Sequence, residues 1–239
     1  MMNQPKQHFF FLGLCILLGL GGMGYLLSEG LLKFKQLDRS VTVKGLSEME
    51  MPADVVIWPI SYSLANNELA PLYDTLEQNN QAIEDFLTSR GVPVSAISLA
   101  PPAITDKSAL DYGGANDSAF RFVGIQTVTV YSDQIETVRQ AMTELSELGK
   151  QGIVIKGNNY DNRTQYLFTR LNEIKPQMIE QATENAREVA MKFAADSNSQ
   201  LGKIKRASQG QFSINDRDQN NPHIKKVRVV STIAYYLSD

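Results

Sequence analysis

Cysteine and histidine are nearly absent from this chain of 239 residues. Its one cysteine, Cys15, lies inside an apolar stretch, so the long remainder of the chain can form no disulfide. That remainder also offers no thiol nucleophile and no cysteine ligand for zinc or an iron–sulfur cluster. The part of the chain after that stretch contains one histidine, His223, from which neither a multi-histidine metal site nor a histidine-dependent triad can be assembled. We therefore expect no metal, no cofactor and no enzymatic activity.

The chain also has no large excess of positive or negative charge. The chain has 23 Lys and Arg residues against 26 Asp and Glu residues, which gives a formal net charge of −3. Nucleic-acid binding requires a concentrated basic face, and this composition does not indicate one, so we expect no nucleic-acid partner.

The chain does contain a long apolar run, Phe9 to Leu32, whose only charged residue is Glu29. About 20 apolar residues in a helix cross the hydrocarbon core of a bilayer, so this run is long enough to span it. A cleavable signal peptide is the alternative, because Gly22-Met23-Gly24 is a weak cleavage site. Apolar residues continue to Leu32, however, and this favours an uncleaved signal anchor. The predicted tail, anchor, linker and soluble domain are residues 1–8, 9–32, 33–40 and 41–239.

The charges beside the apolar run give conflicting signals about its orientation. Lys6 precedes the run, whereas Lys33, Lys35 and Arg39 follow it, and this bias alone would place the body in the cytoplasm. Short N-terminal tails rarely cross a membrane, and long domains cross largely regardless of charge. We therefore predict an exported body.

The soluble body alternates between two hydrophobic periods, which predict helices and strands in turn. Helices are expected at Glu68 to Arg90, Ile135 to Gly149 and Lys175-Pro176 to Asp196. Strands are expected at Val41–Gly45, Val55–Leu64, Val94–Ala103, Phe120–Tyr131, Ile153–Ile155, Tyr160–Phe168, Ile204–Ile214 and Lys225–Leu237. Hairpin-like strand pairs between helices indicate an α+β fold with largely antiparallel sheets and about three packed helices, preceded by one transmembrane helix.

Two acidic groups resemble catalytic or metal sites only in part. Glu48, Glu50 and Asp54 could do acid–base chemistry if one were desolvated, but an exposed turn explains them equally well. The run from Asp216 to Asn220 follows the first half of a calcium loop, whose required glycine and final glutamate are absent. A polar loop carries three further carboxylates, which we expect to be solvated: Asp106, Asp111 and Asp117.

A basic set forms the candidate interaction surface: Lys203, Lys205, Arg206, Lys225, Lys226 and Arg228. If the last two strands pair, these charges would gather near one end of a hairpin. There they could contact anionic lipid head groups or an acidic surface of a neighbouring subunit. Ordinary solubilising charge on exposed strand ends is the alternative.

Several stretches of the body resemble the SIMPL domain family. The opening Val41-Thr42-Val43-Lys44-Gly45 and Pro52-Ala53-Asp54 are similar to its first strand, its glycine turn and the entry to its second strand. The C-terminal half carries the more specific similarity, at Ile174–Ile179, Asn185–Arg187, Phe193–Ser197, Leu201–Ile204, Gln209–Ile214 and Lys225–Val230.

The resemblance implies an exported bacterial envelope protein with no agreed catalytic residues. Some relatives form large homo-oligomers, and others are linked to protection against oxidative stress. We therefore expect a single-pass inner-membrane protein with a periplasmic body, which self-associates as a scaffold or stress-protective protein and contacts other envelope proteins. A soluble periplasmic protein with a cleaved signal is the alternative location. An enzyme or small-ligand protein with an unrecognised pocket is the alternative function.

Overall fold

The N-terminal element is a single long helix. A computed structural model describes residues 5–37, 39–109, 119–157 and 162–238 of the chain. Helix α1, Pro5–Leu37, contains one stretch that is long and apolar enough to cross a membrane, Leu12–Gly30. A signal sequence has the same character, so α1 is compatible with an anchor and with a signal peptide. Helical structure continues to Leu37, through most of the predicted linker.

The rest of the chain has the predicted α+β composition. Four further helices follow in the described ranges: α2 (Leu69–Ser89), α3 (Ile135–Thr143), α4 (Ser146–Lys150) and α5 (Leu171–Asp196). The strands are β1 (Ser40–Pro52), β2 (Val55–Asn66), β3 (Ile97–Leu99), β4 (Ala103–Asp106), β5 (Phe122–Ser132), β6 (Gln165–Leu167), β7 (Gln200–Gln209), β8 (Ser213–Asp216) and β9 (Ile224–Ser238).

The chain divides into two compact units. Unit 1 comprises Met1–Glu48, Lys175–Ser213 and Arg228–Asp239, and unit 2 comprises Met49–Ile174 and Ile214–Val227. Strands β1 and β9 and helix α5 each pass from one unit into the other. Both units are therefore built from segments that are distant in the sequence.

Unit 2 is built on an antiparallel sheet with strand order β3-β5-β2-β6, and β4 also pairs with β5. The alternation predicted for β2 is confirmed, because Val56, Trp58, Ile60 and Tyr62 are all buried. Helix α2 packs against this face with its own apolar stripe: Leu72, Leu76, Ile83, Phe86 and Leu87. The Tyr62 hydroxyl donates to the carbonyl of Leu76 at 2.9 Å, and burial raises the pKa of Tyr62 to about 12.

Unit 1 is a helix packed on a second antiparallel sheet. The order of that sheet is β1-β9-β7, while most of β8, which pairs with the start of β9, belongs to unit 2. Helix α5 buries a stripe of residues four apart: Met178, Ala182, Ala186, Ala190 and Ala194. Its alanines pack against the inward-facing residues of the sheet, among them Val43, Ile233 and Tyr235. One face of the last strand, β9, therefore packs against α5, as its alternating pattern allows.

Gly45 sets the distance between β1 and α5. A Cβ atom on Gly45 would lie 1.8 Å from the carbonyl oxygen of Ala182 and 2.5 Å from the nitrogen of Ala186. Both atoms belong to the helix backbone, which cannot move aside as a flexible side chain can. The sheet therefore accepts α5 only because position 45 has no side chain.

Several predicted boundaries differ from the structure for local reasons. Strand β1 continues beyond Gly45 to Pro52, because its alternation of buried and exposed residues persists. The helix predicted from Ile135 to Gly149 is two helices, since the first ends at Thr143. Helix α5 begins at Leu171, so Pro176 lies inside it. Residues 158–161 and 110–118, which include parts of a predicted strand and loop, lie outside the described residues.

Replacement of Gly45 by alanine should destabilise the protein by about 3 kcal/mol, because the methyl group would force α5 away from the sheet. Urea denaturation of the full chain in detergent measures this. Gly149→Ala is the matched control, since a Cβ atom there meets nothing within 4 Å. Equal unfolding midpoints for the two variants would contradict the account of this contact.

Candidate functional site

The structure separates the six basic residues that the sequence groups together. Lys203, Lys205 and Arg206 are exposed on β7, and Lys226 and Arg228 are exposed on β9. Lys225 is buried, with 7% of its surface exposed, so it cannot belong to an external surface.

The last two long strands do pair, but their register does not gather the charges at one end. Arg206 lies opposite Ala234, and Arg228 is six positions before Ala234 on the same strand. At about 3.4 Å per residue, Arg206 and Arg228 are about 20 Å apart. We call Lys203, Lys205 and Arg206 the β7 group, and Lys226 and Arg228 the β9 group.

Acidic partners accompany the cations near the start of β9. Arg228 Nε lies 3.4 Å from Glu48 Oε1. The buried Lys225 forms an ion pair with Asp216 across the β8–β9 hairpin, and Arg163 Nη2 lies 3.4 Å from the same carboxylate. Exposed pairs of this kind contribute little stability, but they reduce the local positive charge.

The β7 group lies toward the other end of the sheet, where α1 joins the body. Arg39, two positions after the last residue of α1, accepts a 2.9 Å hydrogen bond at its carbonyl from Leu237 N, and its guanidinium donates to Ser199 Oγ at 3.2 Å. The start of β7 lies at this same end, because Gln200 pairs with Ser238. Sequence reasoning did not include Arg39 in the basic set, since its position depends on this strand pairing.

A cleft in unit 2 is a second candidate site that the sequence did not reveal. Its volume is about 410 Å³, and its lining combines cations, a carboxylate and apolar groups: Arg163, Thr164, Gln165, Tyr166, Leu167, Asp216, Pro222 and Lys225. Burial raises the pKa of Tyr166, whose hydroxyl lies 3.9 Å from Met142 Sδ and so faces the core of unit 2. Alternation in the hairpin could have suggested the pairing of Asp216 with Lys225, but Arg163 is distant in the sequence.

Asp54 has a structural role at the start of α5. Its side chain, 15% exposed, accepts hydrogen bonds from Thr169 N, Thr169 Oγ1, Arg170 N and Arg170 Nε, at 2.9–3.2 Å. Burial alone would raise the pKa of Asp54, but these hydrogen bonds outweigh it and the pKa is lowered. A carboxylate held ionised in this way is a poor general acid. It instead stabilises the turn before α5.

The other two carboxylates of the predicted turn lie on a strand. Glu48 and Glu50 are exposed residues of β1, near Arg228 and Arg217 respectively. Their exposure agrees with the solvated alternative, but the turn itself lies between β1 and β2. The three acids therefore do not form one catalytic cluster.

The remaining polar candidates form self-contained loops. Asp218 accepts hydrogen bonds from Asn220 N, Asn221 N and the Asn221 amide, while its ion pair with Arg217 contributes most to a pKa of about 2. The described residues hold no cluster of three or more metal-ligating side chains. The His223 ring packs edge-on against the Tyr166 ring, with 6.0 Å between the ring centres, and burial lowers the pKa of His223.

One of the three loop carboxylates, Asp106, lies within the described residues, at the end of β4. Arg121 lies 2.8 Å from Asp106, and this hydrogen-bonded pair holds the pKa of Asp106 well below its usual range. Asp111 and Asp117 lie outside the described residues.

The fold and its apolar leader define an α+β body that follows a membrane anchor or signal helix. Comparison with known families matches residues 41–231 to SIMPL, described as a protein of unknown function (DUF541). The match covers most of the chain, and the chain belongs to the SIMPL family. The resemblance seen in its strands and helices is thereby confirmed. No curated protein matches the chain.

Asp54→Asn should lower the stability by about 2 kcal/mol near pH 6, because the amide cannot accept four hydrogen bonds as a carboxylate does. The pKa of Asp54 is lower in the folded state, so its contribution is present above about pH 4 and is lost as the pH falls through the folded-state value. Urea denaturation at pH 6 and pH 3 should therefore show a smaller acid loss for Asp54→Asn than for wild type. The exposed Asp74→Asn should behave like wild type, and an unchanged acid loss in Asp54→Asn would refute this role.

Proposed function

We propose that this SIMPL-family protein is anchored in the bacterial inner membrane by α1, holds its body in the periplasm, and self-associates there as a non-enzymatic scaffold or stress-protective protein. The family match and the long apolar helix support this assignment. The single observation that carries self-association is the edge position of β1, which pairs with β9 alone among the described strands.

Two hydrogen bonds identify which groups of β1 face that edge. Leu237 N donates to the Arg39 carbonyl, so position 39 faces β9, whereas Asn185 Nδ2 donates to the Leu46 carbonyl at 2.8 Å. Successive residues of an antiparallel strand direct their main-chain groups to opposite sides. Thr42 and Lys44 therefore share the direction of Leu46, away from β9. Their N–H and C=O groups form a template on which a strand of a second copy can pair.

The opposite edge of this sheet is less suited to strand addition. Strand β7 has register irregularities between Leu201 and Ile204 and between Ile204 and Arg206. Bulges and cations on an edge strand both discourage pairing with another sheet. We therefore assign self-association to β1 rather than to β7.

Membrane attachment would strengthen a weak contact of this kind. Confinement to one membrane raises the effective concentration of neighbouring copies, so an interface too weak for dilute solution becomes occupied. A short edge contact is then sufficient for assembly.

Thr42→Pro should abolish self-association, because proline removes an N–H group from the open edge and leaves the bonds to β9 in place. Thr42→Val is the matched control, since it changes the side chain and keeps the N–H group. Native mass spectrometry and cross-linking of the full chain in detergent should show oligomers for wild type and Thr42→Val only. Wild-type protein that stays monomeric at high concentration, or a folded Thr42→Pro that assembles normally, would rule out the β1 interface.

A second candidate function is the binding of a small anionic molecule in the unit 2 cleft. Its volume is within the range of small-molecule sites, and Arg163 and Lys225 share the single carboxylate of Asp216. The Tyr166 hydroxyl does not take part, because it lies 3.9 Å from Met142 Sδ in the core of unit 2.

Ligand binding predicts a rise in melting temperature of the full chain with phosphorylated or carboxylated metabolites. Arg163→Gln should weaken that binding about tenfold, because it removes a bidentate cation. Arg139→Gln is the control, since its guanidinium pairs with Glu136 on α3 at 2.8 Å, outside the cleft. No thermal shift across the metabolite panel, or equal loss in both variants, would argue against this function.

A further inference from the structure

We propose that the β7 group, together with Arg39, binds the anionic head groups of the bilayer in which α1 is anchored. This inference rests on the proposed membrane anchoring. It identifies lipid as the partner of the β7 group and limits the contact to one end of the unit 1 sheet.

Chain connectivity keeps this end of the sheet near the membrane. From Gly30, where the apolar stretch ends, α1 continues to Leu37, about 10 Å along the helix axis. Strand β1 begins at Ser40, at most about 11 Å further along the chain. The polar head-group layer extends about 5–8 Å beyond the hydrocarbon. The start of β1 therefore lies within about 15 Å of the lipid surface.

The strand register brings the β7 group to this same end. Leu201 pairs with Leu237, next to the Arg39 carbonyl, and Lys203 follows two positions later. Lys203, Lys205 and Arg206 are exposed, and Lys205 Nζ lies 5.3 Å from the centre of the Tyr236 ring. An exposed aromatic ring beside cations suits the boundary between water and lipid.

The charge of this end is positive when its acids are included. The sequence adds Lys33 and Lys35 in the last turns of α1, and exposed Lys192 lies near the end of α5. By sequence, the segments 29–39, 188–206 and 237–239 contain seven Lys and Arg residues against five carboxylates: Glu29, Asp38, Glu188, Asp196 and Asp239. Clusters of Lys and Arg immediately beside a membrane helix bind anionic lipid surfaces.

The β9 group provides an internal comparison. Arg228 pairs with Glu48, and this group is about 20 Å further along the sheet than Arg206. Surface electrostatic attraction decays over a Debye length of about 8 Å at physiological ionic strength. The β9 group should therefore contribute little to lipid binding, although it carries the same types of cation.

The test measures how closely β7 approaches lipid in nanodiscs that contain one copy of the full chain. A fluorophore is attached at S208C on β7 in a Cys15→Ala background, and energy transfer to an acceptor-labelled lipid is recorded. We expect energy transfer to rise about twofold when neutral phosphatidylcholine discs include 30% phosphatidylglycerol. It should fall again in 0.5 M salt, because salt shortens the Debye length and screens the attraction between the cations and the lipid. The double variant K205Q/R206Q should lose this response, whereas K226Q/R228Q, which removes the same two residue types, should keep it.

The possible outcomes distinguish failure of the lipid contact from failure of the membrane anchoring by α1. Equal transfer in neutral and anionic discs, or equal losses in the two double variants with unchanged melting temperatures, would overturn the lipid contact. A response that appears only with two chains per disc would also overturn it, in favour of an acidic protein surface. A chain that does not co-elute with discs would refute the anchoring itself.

Discussion

The close contact between β1 and α5 is the constraint on which unit 1 depends. Position 45 has no room for a Cβ atom, since Ala182 and Ala186 of the helix backbone occupy that space. The alanine stripe of α5 provides the matching flat surface, so helix and sheet approach more closely than larger side chains would allow. Strand β1 and the middle of α5 are therefore parts of one contact, although they are separated by more than half of the chain.

This contact also determines which surfaces remain for interaction. Helix α5 packs on one face of the sheet, and within the described residues β1 and β7 are its outer strands, so these edges and the opposite face are the surfaces considered for contact. Asn185, beside the alanine stripe, donates to the Leu46 carbonyl on the β1 edge. The two edges differ in chemistry: β1 offers regular main-chain groups, whereas β7 offers cations and irregular register. We therefore propose self-association at β1 and lipid contact at β7.

Most elements were predictable from the sequence, because burial on one face of a strand or helix leaves a periodic pattern. The buried face of β2 and the stripe of α2 followed directly from that pattern. The break between α3 and α4 did not, since the apolar spacing continues across it. The candidate sites were less predictable: register alone separates Arg206 from Arg228, and only tertiary folding brings Arg163 to Asp216. Such long-range pairings have no local signature.

The central claim is that an uncleaved helix holds this body at a membrane, where it acts through contacts. The most direct measurement is the intact mass of the protein recovered from cell membranes after alkaline carbonate washing. The account predicts that the washed membranes retain a chain that still includes the apolar stretch Leu12–Gly30. A shortened chain that begins after this stretch, recovered in the soluble periplasmic fraction, would contradict it.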